Sequence, residues 1–350
     1  MPIRIAVIGC GMIAQKRHFP ELSENPNVTL TACCDYVPER SRLMAETYGG
    51  RSYRTYQELL DKEELDAIII CTNNATHEEV AVCALEKGLH VLCEKPMAAS
   101  LEQARRMTQC AEKNKKILMI AMNQRMSGAY KKAKEILSSG RMGRVLTFRT
   151  VFGHPGCEYW SIDGKESWFF DSKLAAFGCL ADLGVHKIDL MRWLLEDEFE
   201  EAFAYKATRD KKDPDGTPVS VEDNMVGVLK SRSGIIGTIA ASWTYYGPED
   251  NSSVFYCEKG ILSVLTDPEY LVKIDYQDGT GERFLVPGVG SNEHPIRSNI
   301  PDEFVQAILQ QRESAIPGRE GFNSLAVAVA LNQAALEGRP VKVTTFEDFV

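Results

Sequence analysis

Apolar residues fall in short runs along the first third of the chain. Strand-like runs at 3–8, 28–34, 67–71, 90–93 and 117–121 are separated by amphipathic stretches such as 38–48, 77–87 and 101–114. Strands that alternate with helices of ten or more residues predict βαβ units, and hence a parallel sheet buried on both faces. Beyond about residue 125 the texture changes. A helix over 130–138 leads to a strand at 145–153, a long irregular stretch at 154–177 and a helix at 180–195. Strand candidates then follow at 224–230, 235–243, 253–256, 261–265 and 271–276, with turns at 231–234 and 258–260 that suit antiparallel neighbours. Helices at 301–311 and 321–337 and a strand at 341–343 close the chain. The pattern predicts an α/β protein. A doubly wound parallel sheet occupies 1–123, and an α+β domain with a mainly antiparallel sheet occupies 124–350.

Composition narrows this picture. A chain of 350 residues is long enough for two domains. Its 49 acidic side chains exceed its 40 basic ones, and a net charge of −9 repels phosphate backbones, so a nucleic-acid partner is excluded. No window holds the ~18 consecutive apolar residues of a membrane span. The apolar run 5–14 follows Arg4 like a secretion signal, but Gly9 and Gly11 flank Cys10 within it, which fits a buried first strand ending in a tight turn. Ten cysteines, none at C-x-x-C spacing and most inside apolar segments, read as buried thiols in a reducing cytoplasm.

Gly9-Cys10-Gly11-Met12-Ile13-Ala14 fits the G-x-G-x-x-G/A fingerprint of a Rossmann dinucleotide site. Gly9 permits the turn, Gly11 lets a pyrophosphate approach, Ala14 packs helix on strand, and the helix N-terminus meets the phosphates beside Met12 and Ile13. Asp35, 24 residues after Gly11, ends the second strand. A carboxylate there accepts hydrogen bonds from ribose hydroxyls and repels a 2′-phosphate, which favours NAD over NADP. Arg40, the nearest basic residue, is expected to face outward. Two further loops lie at strand carboxyl ends: Thr72-Asn73-Asn74-Ala75-Thr76-His77, where Thr76 suits a helix N-cap, and Glu94-Lys95-Pro96.

Lys95 ends an apolar strand and precedes a proline that holds it extended. It either polarises a substrate oxygen or reaches solvent as a strand-end charge. Asp182, His186 and Asp189 are spaced four and three apart and so share one helical face. A histidine of near-neutral pKa on that face suits proton abstraction from a hydroxyl, with Asp182 orienting it or the substrate, although a structural role is the commoner fate of a helical histidine.

The glycine loop, Glu94-Lys95-Pro96 and Asp182-x-Gly184-x-His186-x-x-Asp189, in this order and spacing, resemble the Gfo/Idh/MocA family of oxidoreductases, as does the segment Asn123-Gln124-Arg125. The resemblance implies a catalytic set of Lys95, Asp182 and His186. It further implies an NAD cofactor held by the glycine loop with Met12 and Ile13, by Asp35, by Thr72, Asn73, Asn74 and His77, and by Glu94, Lys95 and Gln124. A cis peptide before Pro96 and an oligomer formed through the second domain's sheet, which the resemblance implies to be open, are implied as well. Proline is usual near position 73 in that family, where this chain has Asn73-Asn74. The reaction implied is oxidation of a secondary hydroxyl by hydride transfer, with His186 as base and Lys95 stabilising the alkoxide. Alternatives are a glycosidase that retains NAD and works by transient oxidation, and a non-catalytic cofactor-binding regulator.

The 154–177 segment reads as the specificity region. Tyr159, Trp160, Trp168, Phe169, Phe170 and Phe177 offer aromatic faces to sugar C–H groups, though half or more of them suit core or subunit packing equally well. His154, Glu158, Asp163 and Lys165 offer polar contacts for hydroxyls. Arg125, His154, Tyr159 and Trp168 join Lys95, Asp182 and His186 as expected substrate contacts, and Trp243, Asn292, His294 and Arg297 are further candidates for the pocket border. The run from His154 to Glu158 reads as a turn, so no metal is expected. The substrate class is a carbohydrate, cyclitol or glycoside.

Overall fold

The computed structural model describes residues 1–288 and 297–349. Six strands make the first sheet: β1 Ile3–Ile8, β2 Val28–Cys34, β3 Arg51–Tyr53, β4 Ala67–Ile70, β5 His90–Cys93 and β6 Leu118–Ile120. Every pairing is parallel and the order is β3-β2-β1-β4-β5-β6. The order reverses between β1 and β4, so their carboxyl ends open a crevice there. All four residues of β4 are buried, as a central strand covered on both faces requires. The three-residue edge strand β3 and the helix Tyr56–Lys62 were not foreseen, being too short and too polar for a periodic signal.

The second sheet holds β7 Val145–Gly153, β8 Phe199–Ala207, β9 Asn224–Ser231, β10 Ile236–Ser242, β11 Ser253–Cys257, β12 Gly260–Val264, β13 Val272–Tyr276, β14 Gly281–Phe284 and β15 Val341–Lys342. Its order is β14-β13-β12-β11-β7-β10-β9-β8-β15, antiparallel except where β7 and β10 run parallel. Strict alternation along β9 buries Met225 and Leu229 and exposes Val226 and Val228. One face therefore packs on the helices Val185–Leu195 and Gly318–Glu337, and the other is open.

The long C-terminal helix also reaches the first sheet. Ile120 N–H donates to Ile316 O at 3.0 Å, and a Cβ added to Gly321 would lie 2.5 Å from Ile120. Glycine at 318 and 321 thus lets this helix lie against β6.

Two expected helices contain π-turns. Residues Ala14–His18 form one before the short helix Phe19–Ser23, and Leu180–Gly184 form another before Val185–Leu195. In the second, Val185 N–H bonds back to Leu180 O. The turn widens there, between Asp182 and the regular helix that carries His186 and Asp189. π-Turns recur at functional sites, and both of these border the same crevice. No described helix is long and apolar enough to cross a membrane, and all ten cysteines are free thiols.

Candidate active site

The crevice is a cavity of about 1380 Å³ between the two sheets. Its floor at the first sheet is the glycine turn. Gly9 has φ +93°, and its absent Cβ would sit 2.5 Å from Cys71 O. Only glycine fits that approach. Gly11, by contrast, has open space where a Cβ would be. Asp35 is buried, and its two carboxylate oxygens accept from Cys10 N–H at 2.7 Å and Val37 N–H at 2.8 Å. The acid is thereby fixed against the turn.

Of the expected cofactor contacts, Gly9, Gly11, Met12, Ile13, Asp35, Thr72, Asn73, Asn74, Glu94, Lys95 and Gln124 all border the cavity. His77 does not. Its buried ring nitrogens lie 3.0 Å from Pro96 O and 3.2 Å from Thr72 O, so it joins the two cofactor loops from behind, and burial pushes its pKa down. Asn74, standing near the usual proline position, donates to Ala175 O at 2.8 Å and ties its loop to the 154–177 segment.

A dinucleotide fits this lining. Asn73 Oδ1 and Gln124 Oε1 are buried with no protein partner, and a buried amide oxygen left unpaired is costly. Both residues border the cavity, where an amide-bearing ligand would satisfy them.

At the Lys95 end of the cavity the Lys95–Pro96 peptide is cis. Lys95 Nζ donates to Asp182 O at 2.8 Å and to Asp182 Oδ1 at 2.9 Å. The other carboxylate oxygen accepts from Trp243 Nε1 at 3.0 Å. Trp243 is fully buried and reaches the site only through Asp182. His186 borders the same cavity, and its Nδ1 is buried without a partner. Desolvation, reinforced by the Lys95 cation, holds its pKa well below the usual histidine value. His154 Nε2 stands 3.9 Å from Asp182 Oδ2, and burial lowers its pKa too. Burial alone would raise Glu94, but His18 at 2.8 Å, with Arg17 and Lys95, overcomes it and holds the carboxyl down at about 2.

Two expectations need correction. Arg125 does not border the cavity. Its guanidinium is buried in a bidentate pair with Asp189 (2.7 Å each) and a bond to Glu320 (2.7 Å), which leaves it no face toward a substrate. Arg40 does not face outward. It turns into the cavity and binds Asp163. Arg297 is also elsewhere, paired with Glu24 and Asp302, while Asn292 and His294 lie outside the described residues.

The 154–177 segment roofs the other side. Tyr159, Trp160, Trp168 and Phe169 border the cavity, Trp168 and Phe169 stacking at 3.9 Å. Phe170 instead packs edge-on against Trp243, and Phe177 joins the core. Glu158 is bound by Lys211 at 2.5 Å. Sequence reasoning passed over Arg17, which borders the cavity one π-turn beyond the glycine loop. Its spacing of four from Ile13, which also borders the cavity, is the signal that could have found it.

Such a cleft defines a nucleotide-dependent oxidoreductase in class. Residues 3–122 match the family model described as "Oxidoreductase family, NAD-binding Rossmann fold", and residues 130–263 match the GFO/IDH/MocA C-terminal domain. The chain belongs to the Gfo/Idh/MocA oxidoreductase family and is an NAD-binding enzyme. It is 26% identical to myo-inositol 2-dehydrogenase of Thermotoga maritima, over 97% of this chain and 98% of that protein. It is likewise 26% identical to D-glucoside 3-dehydrogenase of Escherichia coli, over 98% of each. Among solved structures it resembles aldose–aldose oxidoreductase of Caulobacter crescentus in complex with glycerol. The TM-score there is 0.82, at 25% identity over 98% of this chain and all of the other.

Proposed function

We propose that this enzyme oxidises a secondary hydroxyl of a sugar, inositol or glycoside, with Lys95, Asp182 and His186 as its working set. One observation carries the reading. Lys95 and a histidine kept neutral by burial face a single cavity, and Asp182 clamps the lysine between them. When bound along the Asp35–Gln124 wall, NAD supplies the acceptor for the hydride of the carbinol carbon.

The protein's own part is proton handling and charge. His186, uncharged, takes the hydroxyl proton as general base. Lys95 uses two of its three donors on Asp182 and has one left for the substrate oxygen, whose developing charge it stabilises. Asp182, with one carboxylate oxygen on Lys95 and the other on Trp243, positions the ammonium. The indole and phenyl faces of Trp168, Trp160 and Phe169 suit the apolar face of a ring-shaped polyol, and His154 suits one of its hydroxyls.

A panel of sugars, inositols and glycosides incubated with NAD tests this. Net NADH formation with some of them is expected. Hydrolysis of a glycoside without net NADH would transfer the site to elimination chemistry, and NAD binding with no turnover of any kind would leave only a regulator. We further infer self-association through the open sheet face, because neighbouring Tyr205, Val226 and Val228 leave it apolar and exposed.

A further inference from the structure

Arg40 stands early in the helix Pro38–Tyr48, directly after β2 and Asp35. Its guanidinium enters the cavity at the Asp35 end, 6.0 Å from the centroid of the Tyr36 ring. A cation just beyond the acid at the end of β2 is placed to meet a 2′-phosphate on the adenosine ribose. Here it is already engaged. Nη1 donates to Asp163 Oδ2 at 3.4 Å and Nη2 donates to Asp163 Oδ1. The pair is mostly shielded, the side chains of Arg40 and Asp163 being 17% and 25% exposed, so solvent screens it less than a surface pair.

Asp163 belongs to the aromatic segment on the opposite wall, in a tight turn where its own N–H reaches Ser161 Oγ at 3.4 Å and the next residue, Gly164, has φ +54°. The charge sum at the ribose end follows directly. Arg54, just past the end of β3, also borders the cavity there, so Asp35 and Asp163 offset Arg40 and Arg54 and leave no net positive charge. A phosphomonoester carrying about −1.5 to −2 finds no uncommitted Arg40 cation there while Asp163 holds it, whereas two ribose hydroxyls need none.

We propose that Asp163 is a cofactor-specificity residue that acts from the substrate wall, holding Arg40 away from any 2′-phosphate and so keeping the site selective for NAD. This rests on the reading of the cavity as the dinucleotide cleft with its adenosine end at Asp35. It also makes selectivity depend on the specificity segment, and not on the β2 end alone.

Asp163→Asn keeps the shape and removes the charge. Dissociation constants for NADH and NADPH, read from nucleotide fluorescence on the full-length protein, decide the matter without any substrate. In Asp163→Asn, NADPH is expected to bind about tenfold tighter or better, the scale of one gained charge-assisted hydrogen bond, with NADH changed by less than about threefold. Adding Arg40→Ala should abolish the gain. Asp163→Ser, which shortens the side chain as well, should repeat the effect and guards against a defect peculiar to the asparagine. Unchanged NADPH affinity in both Asp163 variants, or a gain that persists without Arg40, overturns the proposal while leaving the NAD cleft intact. A wild-type protein that binds neither nucleotide overturns the reading of the cleft itself, and the proposal with it.

Discussion

Lys95 Nζ and Asp182 Oδ1 lie 2.9 Å apart, although the residues come from different sheets' supporting elements and are 87 positions apart in sequence. The contact bridges the cofactor wall and the substrate wall at the point where chemistry is proposed. Lys95→Ala should therefore cut kcat/KM by about 10²–10³-fold, the range for losing one preorganised charge-stabilising donor. NADH affinity should stay within a factor of about three. Steady-state kinetics together with nucleotide titration separate the two effects, and a variant with full turnover removes Lys95 from the mechanism.

On the proposed mechanism, His186 sets the pH dependence. Its pKa is lowered by desolvation first and the Lys95 cation second, so the neutral, proton-accepting form persists below the ordinary histidine value of about 6.5. The acid limb of kcat/KM is expected below that pH. His186→Asn should lower turnover by about 10²–10⁴-fold and remove the limb. The same depressed pKa makes the folded state lose stability as pH falls from about 6.5 toward the folded value, because the unfolded chain binds that proton more readily. An acid limb clearly above 6.5 in the wild type would count against His186 as the base.

Trp243 is a positioning residue in this scheme. Its indole N–H holds Asp182 Oδ2 at 3.0 Å from a fully buried ring. Trp243→Phe keeps most of the packing with Phe170 and leaves one buried carboxylate oxygen unpaired, a loss of about 1–3 kcal/mol. We expect kcat to fall about tenfold with KM little changed, since the clamp on Lys95 loosens while the substrate wall stays. A fall in thermal stability with kcat intact would reduce Trp243 to a packing role.

Most of the fold was legible because its signals are periodic or chemically specific. β1, β4 and β5 are short apolar runs that parallel sheets demand, and Gly9 with Asp35 mark a turn and an acid that only one arrangement uses. What escaped were features set by tertiary contacts. β3 pairs only at the edge, and β8 holds a polar, mixed sequence that its position between β9 and β15 organises. The π-turn at Leu180–Gly184 leaves no mark in residue spacing, nor does the split by which Asp182 and His186 border the cavity while Asp189 pairs with Arg125. Arg125 and Arg40 both depart from their expected places through pairing with distant carboxylates. A lone arginine carries no sign of which distant carboxylate will claim it.

Arg125 accordingly has a structural consequence. Its buried bidentate pair with Asp189 and its bond to Glu320 link the 185–195 helix to the long C-terminal helix. Removing one partner of a buried pair typically costs about 3–5 kcal/mol. Arg125→Leu should lower the unfolding free energy by that amount, read from denaturant titration as a lower midpoint at unchanged slope, while substrate KM in the fraction that stays folded is unaltered. A selective rise in KM at unchanged stability would restore Arg125 to the substrate contacts.

The open sheet face carries the last expectation. Val226 pairs across to Tyr205 on one side and to Ala240 on the other, and Val228 lies one pleat along, opposite Thr238 and Phe203. These residues form one continuous apolar strip over β8, β9 and β10, where Tyr205, Val226 and Val228 are exposed in the single chain. Water contact over such a strip favours association with a like surface. Light scattering on the wild type should give a mass above that of one chain. Val228→Arg places a charge at the centre of the strip and should shift the mass toward the monomer without lowering NADH affinity. A wild type that is monomeric at assay concentrations would exclude this face as an interface between copies.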